Sequence, residues 1–440
     1  FPFIFRGALD VGATEINDAM KLACVKALAH LARAPVAAEA QRAYRDETLI
    51  FGREYLIPKP FDPRLLSTVS SAVARAAMDS GVATRPIDNF QSYTSELDRY
   101  VYRSGLLMRP IFDRARRARR RVVFAEGEDD RVLQAATALL EDGFETPALI
   151  GRPRVIEVRA KRLGLPITAE GPVEIVNPED DPRYPDYWRT YLQAAERDGV
   201  SPDRARAVIR TNPTAIGAVM VSRGEADTLI CGAVGRFADH LRHIELVLGR
   251  DRRMGGVDHR RAIGALSAIV LDSGPVFIAD THVNPDPSAE QLVDIACAGA
   301  GELRRFGIEP RIAFVSHSNF GDARSPSSEK MREAVRLMDA APRGFEYEGE
   351  MNADAALDSE ICERIFPNSR LRRPANLLIM PNIDAANATK SALKVLANGL
   401  QVGPVLLGLD GQAHVVTASI TARGVINAAA LAAAGAGRRA

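Results

Sequence analysis

Two stretches of this chain have the form that lets a backbone grip an anion. Leu229-Ile230-Cys231 is β-prone and runs into Gly232-Ala233-Val234-Gly235-Arg236. Ile312–Val315 likewise runs into Ser316-His317-Ser318-Asn319-Phe320-Gly321. Small residues after a strand let N–H groups approach phosphate oxygens, and a helix N-terminus behind the turn adds partial positive charge. Either loop alone suits a structural turn as well as a ligand; the two together favour binding.

Other chemistries find less support. Cys24, Cys231, Cys297 and Cys362 are scattered and form no Cys-x-x-Cys pair, so a reduced, cytoplasmic setting is expected rather than a redox motif. His240 and His243 lie one helical turn apart without a third ligand nearby, so no metal is expected. A net charge of +1 gives no bulk attraction to nucleic acid or membrane, and no long apolar run suggests a span. Arg114, Arg116, Arg117, Arg119, Arg120 and Arg121 read as a solvated helix end leading into a strand, because no aromatic residues interleave with them.

The elements that must position these loops are alternating strands and helices. From residue 121, β-rich runs at 122–124, 148–150, 228–231, 263–271, 276–279, 312–315, 377–380 and 402–406 are separated mostly by helical stretches, including 129–141, 237–248 and 289–306. That alternation predicts parallel βαβ units, with ligands near the carboxyl ends of strands. Upstream, Ile16, Met20, Ala23, Cys24, Ala27, Leu28 and Leu31 predict a helix over 14–32 that Pro35 stops, and a second follows at 65–80. Residues 81–120 read as an ordered linker, and the length fits two to three domains.

The opening text, Ile4-Phe5-Arg6-Gly7-Ala8-Leu9-Asp10, then Ile16-Asn17-Asp18-Ala19-Met20-Lys21, then Tyr55-Leu56-Ile57-Pro58-Lys59-Pro60-Phe61-Asp62-Pro63-Arg64, resembles the end of a bacterial malic enzyme domain. That resemblance implies a mainly helical tail over 1–80, a linker over 81–118, and a parent that oxidises and decarboxylates malate to pyruvate and CO2 with NADP and a divalent metal, Mg or Mn. The catalytic residues of that family precede this tail, so the chain, opening on Phe1, is expected to belong to a longer protein and to need no cofactor itself. Arg6 and Asp10 are expected to be structural.

The rest resembles a phosphate acetyltransferase. The resemblance rests on Leu229–Arg236 with Leu241-Arg242, on Ser316–Gly321, on Glu348–Ala356, on Met380-Pro381-Asn382-Ile383-Asp384-Ala385-Ala386-Asn387, and on Val402–Leu409. It implies an α/β fold of two subdomains, 119–250 with 405–440 and 251–404, that hold coenzyme A between them. The residues it implies at the cleft are Gly232, Ala233, Gly235, Arg242, Ser316, Ser318, Asn319, Gly321, Asn387 and Thr417. Counting on from Gly408-Leu409 places Thr417 at a family serine, Ala418 at a family arginine and Gly424 at the aspartate base. Phe320 and Asp322 stand where the family has lysine and serine. Losing a general base alone slows such a transfer by ~10²–10⁴-fold. The expectation is therefore a non-catalytic cleft that binds acetyl-CoA or a related acyl-CoA as effector, in a regulatory homo-oligomer (dimer or hexamer) partnered by the malic enzyme domain. A working acetyltransferase and a purely structural module are the alternatives.

Overall fold

One-sided apolar runs build the first elements, α1 (Pro2–Asp10), α2 (Asp18–Arg33) and α3 (Arg64–Asp79). The computed structural model describes residues 2–34, 51–53, 55–58, 62, 64–168, 170–249, 262–271, 273–409 and 411–435. Phe1, Pro35, Lys59, Pro60, Phe61 and Pro63, used in the reading above, lie outside them, as does the expected subdomain boundary at 250–251. The chain divides into two compact units, 1–109 and 110–440.

In the first unit Asn17 caps α2, its side-chain oxygen accepting from the Met20 N–H. Val11, Met20, Val69 and Val73 make the core. Arg6 and Asp10 pair with each other at 2.7 Å, and the Tyr93 hydroxyl also donates to Asp10, so both charges are engaged inside this unit. The segment read as a linker is largely one long helix, α4 (Phe90–Ala118), with Pro110 inside it. Leu107, Met108, Ile111, Phe112 and Ala115 are buried at helical spacing, which offsets the backbone bond that proline removes.

The second unit contains two sheets. β1 (Val122–Phe124), β2 (Ala148–Ile150), β3 (Glu174–Val176), β4 (Thr228–Cys231) and a late strand, Ala413–Val415, form a five-stranded sheet, parallel throughout. Its connecting helices are α5 (Asp130–Glu141), α6 (Pro153–Leu163), α7 (Tyr184–Ala195), α8 (Pro202–Thr211), α9 (Pro213–Arg223) and α10 (Phe237–Leu248). The second sheet holds six strands: β5 (Gly264–Leu271), β6 (Gly274–Ala279), β7 (Arg311–Val315), β8 (Glu346–Met351), β9 (Leu377–Ile379) and β10 (Leu400–Leu407). Here β6, β9, β7 and β8 run parallel, but β5 pairs antiparallel with both β6 and β10, so the sheet is mixed. Its helices are α11 (Ala289–Arg305), α12 (Pro326–Asp339), α13 (Ala353–Leu357), α14 (Ser359–Ile365) and α15 (Ile383–Leu396).

Residue 405, where the sequence placed the return to the first subdomain, lies inside β10; the chain crosses back only with β11, the strand Ala413–Val415, followed by α16 (Ala422–Gly435). The arginine cluster ends in ion pairs: Arg120 with Asp227 at 2.8 Å and Arg121 with Glu174. The described helices include none long and apolar enough to cross a membrane.

Candidate ligand-binding cleft

The carboxyl ends of the parallel strands β1, β4 and β11 place Glu126, Gly232 and Thr417 along one edge. Gly232 has φ +99°, and a Cβ there would stand 2.4 Å from the Val416 carbonyl oxygen, so only glycine lets β4 turn this closely past β11. The Gly232 N–H donates to Glu126 Oε1 at 2.9 Å. Burial pushes the Glu126 carboxyl up to about 7, although the Gly232 and Ala233 N–H groups pull the other way. Val234, Gly235, Arg236, Phe237 and Ala238, which follow and open α10, have N–H groups that find no acceptor among the described residues.

His240 braces this turn. Its Nε2 lies 2.8 Å from the Val234 carbonyl, which can only accept, so Nε2 carries the proton. Burial holds the ring below its ordinary pKa, and Nδ1 then accepts from the Thr214 hydroxyl at 2.7 Å. The nearby Glu126 carboxyl, 3.8 Å from Nδ1, therefore faces a neutral ring.

Arg131 ties three loops together. It grips Asp129 through both carboxylate oxygens and donates to the carbonyls of Ala233 (2.8 Å), Ala418 (2.7 Å) and Ile420 (3.0 Å). Thr417 reaches Ser419 at 3.3 Å. Gly424 sits in the first turn of α16, where a Cβ would come 2.5 Å from Ile420 Cγ1. Arg423 lies over the Phe112 ring at 5.6 Å. Arg242 is exposed on α10 and has no hydrogen bond or ion pair among the described residues.

The opposite wall is the end of β6. Asp280 is buried and fully engaged: its oxygens accept from the N–H groups of Ala265, His282, Val283 and Asn284 and from the Asn284 amide. Thr281 and His282 follow. Burial, with the charge of Lys390, brings His282 down to about 4, and its ring packs on Phe237 of α10 at 5.1 Å. The two subdomains therefore meet beside the Gly232 loop. Asn387 belongs to this wall, donating to the Thr281 carbonyl at 2.9 Å and accepting from Lys390 Nζ at 2.6 Å. At the same junction a cavity of about 330 Å³ opens between Glu245 of α10 and Ala262, Asn284 and Asp294.

The serine loop differs from the Gly232 loop, although sequence reading gave them one role. Ser316 N–H donates to the Met351 carbonyl, Ser318 N–H to the Ser316 hydroxyl, Asn319 N–H to Asp322, and Phe320 N–H to the Glu350 carbonyl. The Gly321 N–H and Ser318 hydroxyl both donate to Glu350 Oε1 (2.8 and 3.0 Å). Burial alone would raise the Glu350 carboxyl, but bonds from Arg332 and Ser318 hold it below its ordinary value. The anion in this nest is thus a carboxylate of the chain itself. The loop is also set apart from Thr281: β9 lies between β6 and β7, so their ends are about 10 Å apart.

Gly232, Ala233, Gly235, Thr417 and Asn387 are brought together at the subdomain junction. Ser316, Ser318, Asn319 and Gly321 form a separate, internally satisfied cluster. Sequence reading missed Glu126, Arg131, Asp280, His282 and Lys390. Asp129-Asp130-Arg131 at a helix start was a visible capping signal, but nothing local marked the long-range partners. Cys231 is buried with its thiol pushed up by burial, which disfavours a nucleophilic thiolate. Among the described residues no group of three or more His, Cys, Asp or Glu is placed to hold a metal.

Comparison with known proteins agrees with this architecture. A family model described as phosphate acetyl/butaryl transferase matches residues 106–433. The chain is 50% identical over 433 residues to an NAD-dependent malic enzyme of Rhizobium meliloti and 50% identical over 434 residues to an NADP-dependent malic enzyme of Escherichia coli. Each alignment covers 98% of this chain but 56% of the relative, so the chain spans little more than half the length of these proteins. A phosphotransacetylase from Staphylococcus aureus superposes with a TM-score of 0.65 at 25% identity, over 75% of this chain and 99% of that one.

Proposed function

Because this chain belongs to the phosphate acetyl/butaryl transferase family, we propose that its subdomain junction binds an acyl-CoA, acetyl-CoA first among them, as a regulatory ligand and not as a substrate. The observation that carries the reading is an imbalance at the site. Among the described residues the N–H groups from Val234 to Ala238 find no acceptor, while several charged groups of the fold are already spent on one another or on loops. Arg131 is held by Asp129 and three carbonyls, Asp280 by five donors, and Glu350 by Arg332.

Acetyl transfer from coenzyme A to phosphate needs a base for the thiol proton and cations for the phosphoryl group and developing oxyanion. By the count from Gly408-Leu409, Ala418 and Gly424 stand at the positions where the family resemblance implies an arginine and the base. Within a longer malic enzyme-like protein, different affinity for the acyl-CoA in two states of the whole would produce regulation. The malate chemistry, with its nicotinamide cofactor and divalent metal, would reside in the portion this chain does not include. Relatives named for NAD and for NADP are equally similar, so the NADP assignment is part of the proposal. Homo-oligomeric assembly belongs to it too.

Isothermal titration of the chain with acetyl-CoA tests the reading, which no heat at millimolar ligand would sink. One observation favours a second reading, an active acetyltransferase. Glu126, with its carboxyl near 7, lies beside the open loop and has a suitable affinity for a general base. A coupled assay with acetyl-CoA and phosphate decides between them: turnover abolished by Glu126→Gln would favour the enzyme.

A further inference from the structure

Lys390 of α15 is 9% exposed, yet its ammonium makes one hydrogen bond among the described residues, to Asn387 Oδ1 at 2.6 Å. An ammonium has three donors, so the other two find no acceptor among the described residues. Among the described residues no carboxylate pairs with it. Burial first, and then the like charge of Lys394, holds Lys390 below its ordinary pKa. A buried charge without a partner is costly, and proteins that keep one generally match it with a counter-ion. Its position is informative. Asn387 anchors it to the Thr281 carbonyl, its charge acts on His282, and the His282 ring lies against Phe237 at the start of α10. The ammonium thus stands behind the junction whose other side carries the uncommitted N–H groups of Val234 to Ala238.

We propose that Lys390 is an anion-binding residue of this cleft, giving its ammonium to a phosphoryl oxygen of the ligand. The inference rests on the acyl-CoA reading and names the part of the ligand that reaches Lys390. A thioester carbonyl is neutral and would leave the charge uncompensated; the anionic groups of an acyl-CoA are its phosphates. The cavity at the junction is lined by Glu245, Glu290 and Asp294, which repel phosphate, so the phosphoryl group is not expected to lie in it. Free phosphate shares the same chemistry and is the other source to separate.

Titration of the full chain with acetyl-CoA, inorganic phosphate and S-acetyl-pantetheine, which lacks phosphoryl groups, tests this. Lys390→Met is expected to weaken acetyl-CoA by ~10–100-fold, the usual size of one charge-assisted hydrogen bond, with Lys390→Arg largely restoring it. Any S-acetyl-pantetheine affinity should not change. If inorganic phosphate binds and loses affinity by the same factor, free phosphate is a source of the anion; if it does not bind, the phosphoryl group is that of the coenzyme. Without ligand, Lys390→Met should melt at the same or a higher temperature, because it removes an unbalanced buried cation. Acetyl-CoA binding that Lys390→Met leaves intact would overturn the inference alone, as would a clearly lower melting temperature. Absence of binding by the unmodified chain would overturn the acyl-CoA reading with it.

Discussion

Arg131 donates at 2.7 Å to the carbonyl of Ala418, so an arginine of α5 holds in place the residue that the count from Gly408-Leu409 sets at an expected acetyltransferase arginine. The same guanidinium reaches Ala233 and Ile420, which makes it the tie between the Gly232 turn and the segment leading into α16. Arg131→Met should therefore cost ~2–4 kcal/mol, since charge-assisted bonds are lost and the Ala233, Ala418 and Ile420 carbonyls lose their donor. Urea unfolding measures it; a loss under ~0.5 kcal/mol would show that the three loops stand without the tie.

Glu126 should make stability fall as pH rises. Its folded pKa of about 7 lies above the ordinary carboxyl value of 4.5, so the folded state holds the proton more tightly. Its contribution is fully present below pH ~4.5 and lost as pH climbs through ~7, amounting to about 3 kcal/mol. His243 and His282, each down at about 4, slope the opposite way, their contribution present above pH ~6.5 and lost toward 4. Comparing unfolding free energies of Glu126→Gln and the parent from pH 5 to 8 isolates the first term. The difference should favour the variant increasingly up to pH ~7.5 and then level; a flat difference would refute the assignment.

How far the sequence reached depended on how local each signal was. Phe237–Leu248 was legible to the residue because its apolar face and bounding glycines are contiguous. Strand β8, reading Glu-Tyr-Glu-Gly-Glu-Met, was invisible: its glutamates look solvent-facing, yet Glu348 and Glu350 are buried by Arg370 and Arg332, brought in from elsewhere in the chain. The α4 helix was obscured by Pro110 and its tyrosines, where tertiary burial overrides local propensity. At the site, glycine-rich text revealed both loops but could not say which was already filled. That depended on Glu350, far away in sequence from Ser318, whereas the N–H groups of Val234 to Ala238 find no such acceptor among the described residues.

The β4 turn should tolerate no side chain at Gly232. With φ at +99° and the Val416 carbonyl oxygen 2.4 Å from a Cβ, Gly232→Ala must strain the backbone and push β11 away from β4. A cost of ~2–4 kcal/mol is expected from left-handed strain plus the clash. Hydrogen exchange should show it locally, through faster exchange of the Val416 amide, which now donates to the Cys231 carbonyl at 2.7 Å. Unchanged protection of Val416 would mean the turn adapts without disturbing the strand pair.

Arg242 and Ser318 should separate binding from folding, because the two loops differ in what they leave free. Arg242 is exposed and makes no bond among the described residues, so Arg242→Ala is expected to leave the melting temperature within about 1 °C, as surface changes generally do. If its charge meets a phosphate of the ligand, acetyl-CoA affinity should drop ~5–20-fold, and added salt should narrow that difference. Ser318 is buried, donates to Glu350 and accepts from the Ala323 N–H, so Ser318→Ala should cost ~1–2 kcal/mol. It should leave acetyl-CoA affinity unchanged, since the loop is satisfied by Glu350 and lies away from the junction. Melting curves and titrations of the two variants give opposite patterns under this scheme. A Ser318→Ala protein that folds as well as the parent but no longer binds would instead move the ligand to the serine loop.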